Sequence, residues 1–192
     1  QGNYGYISTA NPTCGLYVLD ISNTDSLHIV GYVSLPSCGY DDVAYKSGYV
    51  YVGSSIVDAT NPEDPLLIDD LGYPQANNRY FQIIGDTLLA TVGTQLWIFD
   101  ISNPASPNNL GIYLGSNTYG DFAVYGNYVI ILRTGGLDVV DISDAANPTL
   151  IGEPSLANIS ENTDVEIFGD YAYVGGDNHF QVLSISNPQY PG

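Results

Sequence analysis

Positive charge is nearly absent from this chain of 192 residues. Lys and Arg together number 3, against 21 Asp and Glu, for a formal net charge of −18. A nucleic-acid-binding protein needs cations to displace the counterions of the phosphate backbone, and an anionic membrane surface attracts basic segments for a similar reason. Neither is an expected partner. No apolar run reaches the length of a membrane span and no secretory leader is visible, so membrane insertion is not expected. Gln1 in place of Met reads as a processed or excised chain.

Chemistry-bearing motifs are also scarce. The sequence has no zinc-ligand spacing, P-loop, G-x-S-x-G elbow, haem-attachment site or EF-hand loop. Of its two histidines, His28 reads as an ordinary outer-strand residue, and His179 with Asp177 forms the one base-plus-carboxylate cluster. Asp41-Asp42 and Asp69-Asp70 would point to opposite faces of a strand, whereas glycosidase chemistry needs two facing carboxyls. The chain is therefore expected not to be an enzyme, with a hydrolase or lyase as a remote alternative.

Helical periodicity is missing as well. Segments such as YVYVG, LWIFDIS and LDVVDIS alternate with period two, and Gly and Pro interrupt the chain too often for helices of useful length. What is present is repetition. QLWIFDISNPASP from Gln95 is echoed by GLYVLDISN from Gly15, IVDATNPEDP from Ile56, GLDVVDISDAANP from Gly136 and FQVLSISNP from Phe180. The residues closing these strands are Asp20, Asp58, Asp100, Asp141 and Ser184, about 40 residues apart. A second landmark keeps step: GNYGYIS, SGYVYVG, GDTLLAT, GNYVIIL and GDYAYVG. Several short strands per repeat of this length predict an all-β fold, a β-propeller of about five four-stranded blades. It is read as one domain over 1–192, with units of about 1–41, 42–79, 80–120, 121–163 and 164–192.

In the fourth unit the strands, A to D from the inside outward, are Asp121 to Val124, Tyr128 to Leu132, Leu137 to Ile142 and Leu150 to Glu153. The A–B link is a Gly-Asn hairpin, and both residues tolerate positive φ. The C–D link carries Asp, Asn and Pro, so the recurring Asp is expected to bond turn amides rather than to catalyse. The first unit begins at its A–B turn and the fifth stops at its C–D turn. Eighteen strands are counted where five full blades need twenty. The chain is then a segment of a longer protein, a set of subunits completing one another by strand complementation, or a ring with a thin blade.

V-x-D-I-S-N-P preceded by G-N-Y-x-Y-V resembles the LVIVD repeat of bacterial and archaeal surface proteins. The resemblance spans nearly the whole chain, although Ser184 replaces the last Asp and the second copy is shortened before Ile56. It implies a β-propeller and an extracellular or cell-surface setting, and no particular reaction.

The charged fraction is only 12%, so Ser, Thr, Asn, Gln, Gly and Tyr must make most of the polar surface, as in many secreted β proteins. Cys14, in the B–C loop, and Cys38, in a D–A connector, fall on the same face of a propeller. A disulfide between them is favoured over free thiols and implies an oxidising compartment. Asn158-Ile159-Ser160 is a candidate glycosylation sequon. Ligands of such folds sit at the face formed by the D–A and B–C loops. The candidate ligand-binding residues there are Tyr40, Asp42, Asn78, Tyr119, Asp121, Asp164 and His179. Asp42, Asp121 and Asp164 share one repeat position, which could ring a Ca²⁺ ion or simply anchor each connector. No other cofactor is expected. The function expected first is a non-catalytic structural or adhesive module, self-assembling into filaments or meeting other surface proteins and glycans. A carbohydrate- or Ca²⁺-binding propeller is the alternative.

Overall fold

The computed structural model describes residues 2–10, 13–36, 42–74, 79–157, 159, 164–175 and 180–192, with Arg79 described by its backbone alone. The described residues contain eighteen strands and no helix. The first sheet has β1 (Tyr4–Thr9), β2 (Gly15–Asp20) and β3 (His28–Ser34). The second has β4 (Val43–Lys46), β5 (Tyr49–Val52), β6 (Ser55–Asp58) and β7 (Leu66–Asp70). The third has β8 (Arg79–Ile84), β9 (Thr87–Val92), β10 (Gln95–Asp100) and β11 (Asn108–Leu114). The fourth has β12 (Tyr119–Tyr125), β13 (Tyr128–Arg133), β14 (Gly136–Asp141) and β15 (Thr149–Gly152). The fifth has β16 (Val165–Phe168), β17 (Tyr171–Gly175) and β18 (Phe180–Ser184). Within every sheet the strands neighbour one another in chain order, which is the up-and-down blade of a β-propeller. The strands sit where the sequence places them, to within two residues at each end. The chain divides into two compact units, Gln1–Leu88 with Phe99–Asn108 and Leu89–Ile98 with Asn109–Gly192, and the boundary runs through the third sheet.

The A–B hairpins turn on glycine. Gly2, Gly85, Gly126 and Gly169 have φ between 57° and 68°, and the following Asn or Asp, which would tolerate a positive φ, does not adopt one. Only the second sheet uses two such residues, Ser47 and Gly48.

The recurring Asp acts as the sequence predicts. Asp20, Asp100 and Asp141 each accept a bond from the backbone N–H two residues on, Ser22, Ser102 and Ser143, all at 2.8 Å. Asp58 does the same for Thr60 at 2.9 Å. Where Ser184 replaces Asp, its hydroxyl meets that of Ser186 at 3.1 Å. The serine amide and hydroxyl hold the Asp20 and Asp100 carboxyls below their ordinary pKa.

The C–D turn presents a backbone carbonyl to the preceding blade. A Cβ on Gly31 would lie 2.1 Å from the Pro62 oxygen, on Gly111 2.0 Å from the Ala145 oxygen, and on Gly152 3.0 Å from the Gln189 oxygen. Each of these glycines lies in a D strand, and each carbonyl lies in the C–D turn of the next blade. The third blade's turn is met differently, by the Tyr51 hydroxyl donating to the Pro104 carbonyl at 2.9 Å. The C–D ladders also shift register at one repeat position, between Val18 and Leu19, Ile56 and Val57, and Val139 and Val140. That bulge leaves Val30, Ile68 or Ile151 unpaired, and in the first and fourth blades it aims the next residue, Gly31 or Gly152, at the neighbouring turn.

Apolar faces fill the space between blades. Leu16 and Leu35 pack with Val50, Val52, Val57 and Ala59, while Tyr6 stacks on Tyr45 with centroids 5.1 Å apart. In the second unit Ile130, Leu132, Leu137 and Val139 of the fourth sheet meet Val165, Ala172, Val174 and Leu183 of the fifth.

Gly111→Ala is expected to destabilise the protein by roughly 2–3 kcal/mol, because the obstructing atom is a neighbouring backbone oxygen that cannot rotate away. Gly152→Ala should cost less than half as much, since its contact is a full ångström looser. Paired urea denaturation curves of the two variants measure the difference.

Candidate functional site

Of the seven candidate ligand-binding residues, Tyr40, Asn78 and His179 lie outside the described residues, as do Cys38 and Asn158. The four described ones are held by the first strands of the blades. Asp42 immediately precedes β4. Its Oδ1 accepts the Val43 N–H at 2.7 Å, and its Oδ2 accepts the N–H of Phe81, in the first strand of the next blade, at 3.3 Å. Asp121 repeats the arrangement, with Oδ2 accepting the N–H of Val165 in the fifth sheet at 3.0 Å. These carboxylates tie consecutive blades together. Asp164 holds the same repeat position in the last blade and is exposed, its carbonyl accepting the Gly175 N–H at 3.0 Å. Among the described residues no three Asp, Glu, His or Cys side chains group as a metal site.

Tyr119 is not the surface residue that the sequence suggests. It is 1% exposed, and its N–H donates to the Gly93 carbonyl at 2.7 Å. Its hydroxyl donates to Asp138 Oδ2 at 2.5 Å, and the other carboxylate oxygen takes Arg133 Nε at 2.5 Å. Asp138 is 1% exposed and Arg133 is nearly buried, with Glu153 Oε1 at 3.9 Å from Nη2. Tyr113 stacks beside Tyr119 with centroids 6.4 Å apart. This is a buried charged network on the connector side of the fourth blade. Both Asp138 oxygens are occupied and the phenol keeps its proton, so the trio positions the connector and offers no free base at this point.

Asp138 was not singled out from the sequence, yet its repeat position carried a signal. It lies three residues before the residue that closes strand C, and the five blades place Tyr17, Ser55, Trp97, Asp138 and Gln181 there, all with a polar atom and, save Ser55 after Ser54, between apolar neighbours. Trp97 Nε1 donates to Gln95 Oε1 at 2.9 Å and Gln181 Nε2 to the Ala157 carbonyl at 2.9 Å. Tyr17 reaches Thr13 at 3.3 Å. Ser55 Oγ is buried without a partner.

Two other pairs link a first strand to the A–B turn of the next blade: Lys46 reaches Asp86 and the Gly85 carbonyl, and the Tyr125 hydroxyl donates to Asp170 at 2.6 Å.

Blade connectivity, interlocking turns and a polar row along the connector side define a β-propeller. The sequence profile of the LVIVD repeat matches residues 1–34, 89–115, 119–154 and 161–192, and the chain belongs to the LVIVD-repeat family. The unmatched stretch 35–88 includes the second sheet, whose shortened C strand departs most from the repeat but still forms a blade. Among solved structures, the periplasmic gluconolactonase PpgL of Pseudomonas aeruginosa is similar, with 14% identity, a TM-score of 0.73, and 98% of this chain and 64% of that one covered. The computationally designed Ika8 protein is also similar, at 15% identity and a TM-score of 0.68, with 97% and 57% covered. The chain thus spans less than two thirds of the length of either, and at these identities the likeness concerns the fold. Comparison with curated proteins finds no match.

Burial first, and then the bond to the Asp138 carboxylate, raises the Tyr119 phenol far above the 10.0 of free tyrosine. The unfolded chain loses this proton near that pH while the folded chain keeps it. The stability contributed is therefore complete below pH 10 and falls as pH rises beyond it. Tyr119→Phe is expected to cost about 1.5–3 kcal/mol at neutral pH through the lost bond to a charged group. It should also flatten the alkaline decline in denaturation midpoint. Tyr6 and Tyr51, pushed up to about 12, keep part of that slope.

Proposed function

We propose that this protein is a non-catalytic structural or adhesive module, working outside the cell or at its surface and associating with copies of itself or with other surface proteins. The observation carrying this reading is the outer face of the fifth sheet. Phe168 is 79% exposed, Phe180 67%, and Tyr171 and Val182 each 49%. Their repeat equivalents in the fourth sheet, Tyr125, Leu137, Tyr128 and Val139, belong to the core cluster shared with the fifth. The last sheet therefore leaves open the kind of surface that its predecessor buries against a neighbour. The first sheet offers a second apolar face, with Ile29 at 60%, Ile7 at 48% and Tyr32 at 42% exposure. Single exposed apolar residues are ordinary, but contiguous groups of them mark interaction sites. Covering the fifth-sheet group would contribute roughly 1–2 kcal/mol per side chain.

Contact between two different faces is heterologous, and copies joined that way grow into a filament unless the rotation closes a ring. An oxidising setting is part of the same reading. No described cysteine is free, and the proposed disulfide joins Cys14 to Cys38.

Sedimentation velocity from micromolar to millimolar protein tests association. The wild type is expected to show species that grow with concentration, and the double variant Phe168→Asp, Phe180→Asp to remain monomeric. A wild type that stays monomeric throughout would remove self-association from the reading.

A further inference from the structure

The polar row along strand C is completed by the chain itself in the first and fourth blades and is left open in the second. Opposite Tyr17 in the C–D ladder stands Tyr32, and the two rings meet with centroids 4.8 Å apart. In the fourth blade the same place holds Asp138 and Glu153, and Arg133 reaches both, with Nε 2.5 Å from Asp138 Oδ1 and Nη2 3.9 Å from Glu153 Oε1. In the second blade the rung is Ser55 with Asp70. The position of Arg133 does not exist there, because the β5–β6 hairpin is shorter. β13 and β14 continue past Asp138 through Leu132 with Leu137 and Arg133 with Gly136, whereas β5 and β6 end at Val52 with Ser55. What is left is a groove of about 290 Å³ lined by Pro36, Ser55, Leu67, Ile68, Asp69 and Asp70. Ser55 is 2% exposed and its Oγ has no hydrogen-bond partner, although a buried hydroxyl normally finds one. Asp70 shares the face of Ser55, as residues paired across a ladder do, and its Oδ1 accepts the Gly72 N–H at 2.6 Å. Asp69 lies beside it, with Oδ1 accepting the Asp70 N–H at 2.9 Å. Among the described residues neither carboxylate is ion-paired.

We propose that this groove binds a small organic cation, a guanidinium or ammonium carried on a short apolar stem. The fourth blade shows the chemistry with its own side chain: a guanidinium held by a strand-C residue, with a strand-D carboxylate close by. In the second blade Ser55 and Asp70 occupy the places of Asp138 and Glu153, and the groove gives room for a cation arriving from outside. Asp70 accepts a charge-assisted bond, and Ser55 Oγ accepts the donor it lacks. Pro36, Leu67 and Ile68 supply the apolar wall against which a stem packs. A net charge of −18 favours cations in general. A bare divalent ion fits less well, because it takes several oxygen ligands and half of this lining is apolar. Binding here requires no contact between copies of the chain, so it stands apart from the association proposed above.

The test uses the full chain, isotope-labelled for amide NMR, titrated with propylguanidinium, which is the arginine side chain cut at Cβ. Propylurea, its uncharged isostere, is titrated separately. Saturable shifts confined to residues 54–57 and 67–72 support the proposal, with propylurea weaker by roughly tenfold or more. Asp70→Asn keeps the acceptor for the Gly72 N–H and removes the charge. It is expected to weaken propylguanidinium by a similar factor, whereas Asp25→Asn, which removes the same charge from the C–D turn of the first blade, leaves binding unchanged. Absent or unsaturable shifts, or equal binding of the urea, overturn the proposal. Equal losses in the two variants also overturn it, since they report diffuse attraction to an acidic surface. A Ca²⁺ titration that saturates the same amides while propylguanidinium does not would overturn it as well. Should Asp70→Asn fail to fold, the comparison of propylguanidinium with propylurea on the wild type decides alone.

Discussion

The contact on which this architecture depends is a backbone carbonyl lodged against a glycine. The C–D turn of one blade pushes an oxygen into the outer strand of the blade before it, at Gly31, Gly111 and Gly152. A carbonyl can occupy that place only if the turn keeps its shape; Asp58 and Asp141 secure it at Gly31 and Gly111 by taking the amide two residues on, and in the turn against Gly152 the hydroxyl pair Ser184–Ser186 stands in their place. In the first and fourth blades the bulge in the C–D ladder then directs the glycine to the oxygen. One local preference, an aspartate in a tight turn, thereby becomes a rule for stacking sheets. The first strands add a further tie, because Asp42 and Asp121 reach a backbone amide of the following blade.

Much of this was legible because it is local. Period-two alternation and Gly-rich hairpins locate strands, and an Asp followed by Ser, Asn and Pro locates a turn. Eighteen strands are expected and eighteen are found among the described residues. What could not be read was whatever acts between blades. Asp42 and Asp121 resemble a carboxylate ring when aligned, and only coordinates reveal that the equivalent oxygens face an amide of the next sheet. The D-strand glycines recur plainly in IVG, NLG and LIG, yet a glycine in a strand signals a close approach without saying what approaches. Tyr119 was placed at a rim by its loop, but a buried Asp138 draws it inward. A charge inside the apolar segment GLDVVD, with Arg133 five residues before it, was the available clue.

The shortage of cations shapes how the carboxylates are held. Lys46 and Arg133, two of the three basic residues, are paired with Asp86 and Asp138. Tyrosine hydroxyls donate several of the remaining side-chain hydrogen bonds between strands and turns. Tyr51 reaches Pro104, Tyr73 reaches Gly53, Tyr119 reaches Asp138 and Tyr125 reaches Asp170. Tyr125 and Lys46 occupy the same repeat position and serve the same turn, so a phenol there takes the place of an ammonium. Tyrosine suits both demands, since its ring fits a half-buried strand and its hydroxyl is a donor at neutral pH. The 17 tyrosines are thus consistent with a fold that must satisfy carbonyls and carboxylates without positive charge.

That economy has a consequence at the last blade. Phe168 stands where Lys46 and Tyr125 stand in earlier blades, and it has no polar atom with which to reach a turn. At this position the second and fourth blades present a donor to the next, the third has Ile84, 42% exposed, and the fifth presents a bare aromatic ring, 79% exposed. Water is a poor solvent for such a surface, whereas another apolar sheet face covers it without needing a matched acceptor. Relative to Lys46 and Tyr125, the ring drops the directional requirement of a hydrogen bond and keeps the hydrophobic one. A surface of that kind needs a less exactingly placed neighbour than a hydrogen-bonded one does, which is the ground on which the association proposed above stands.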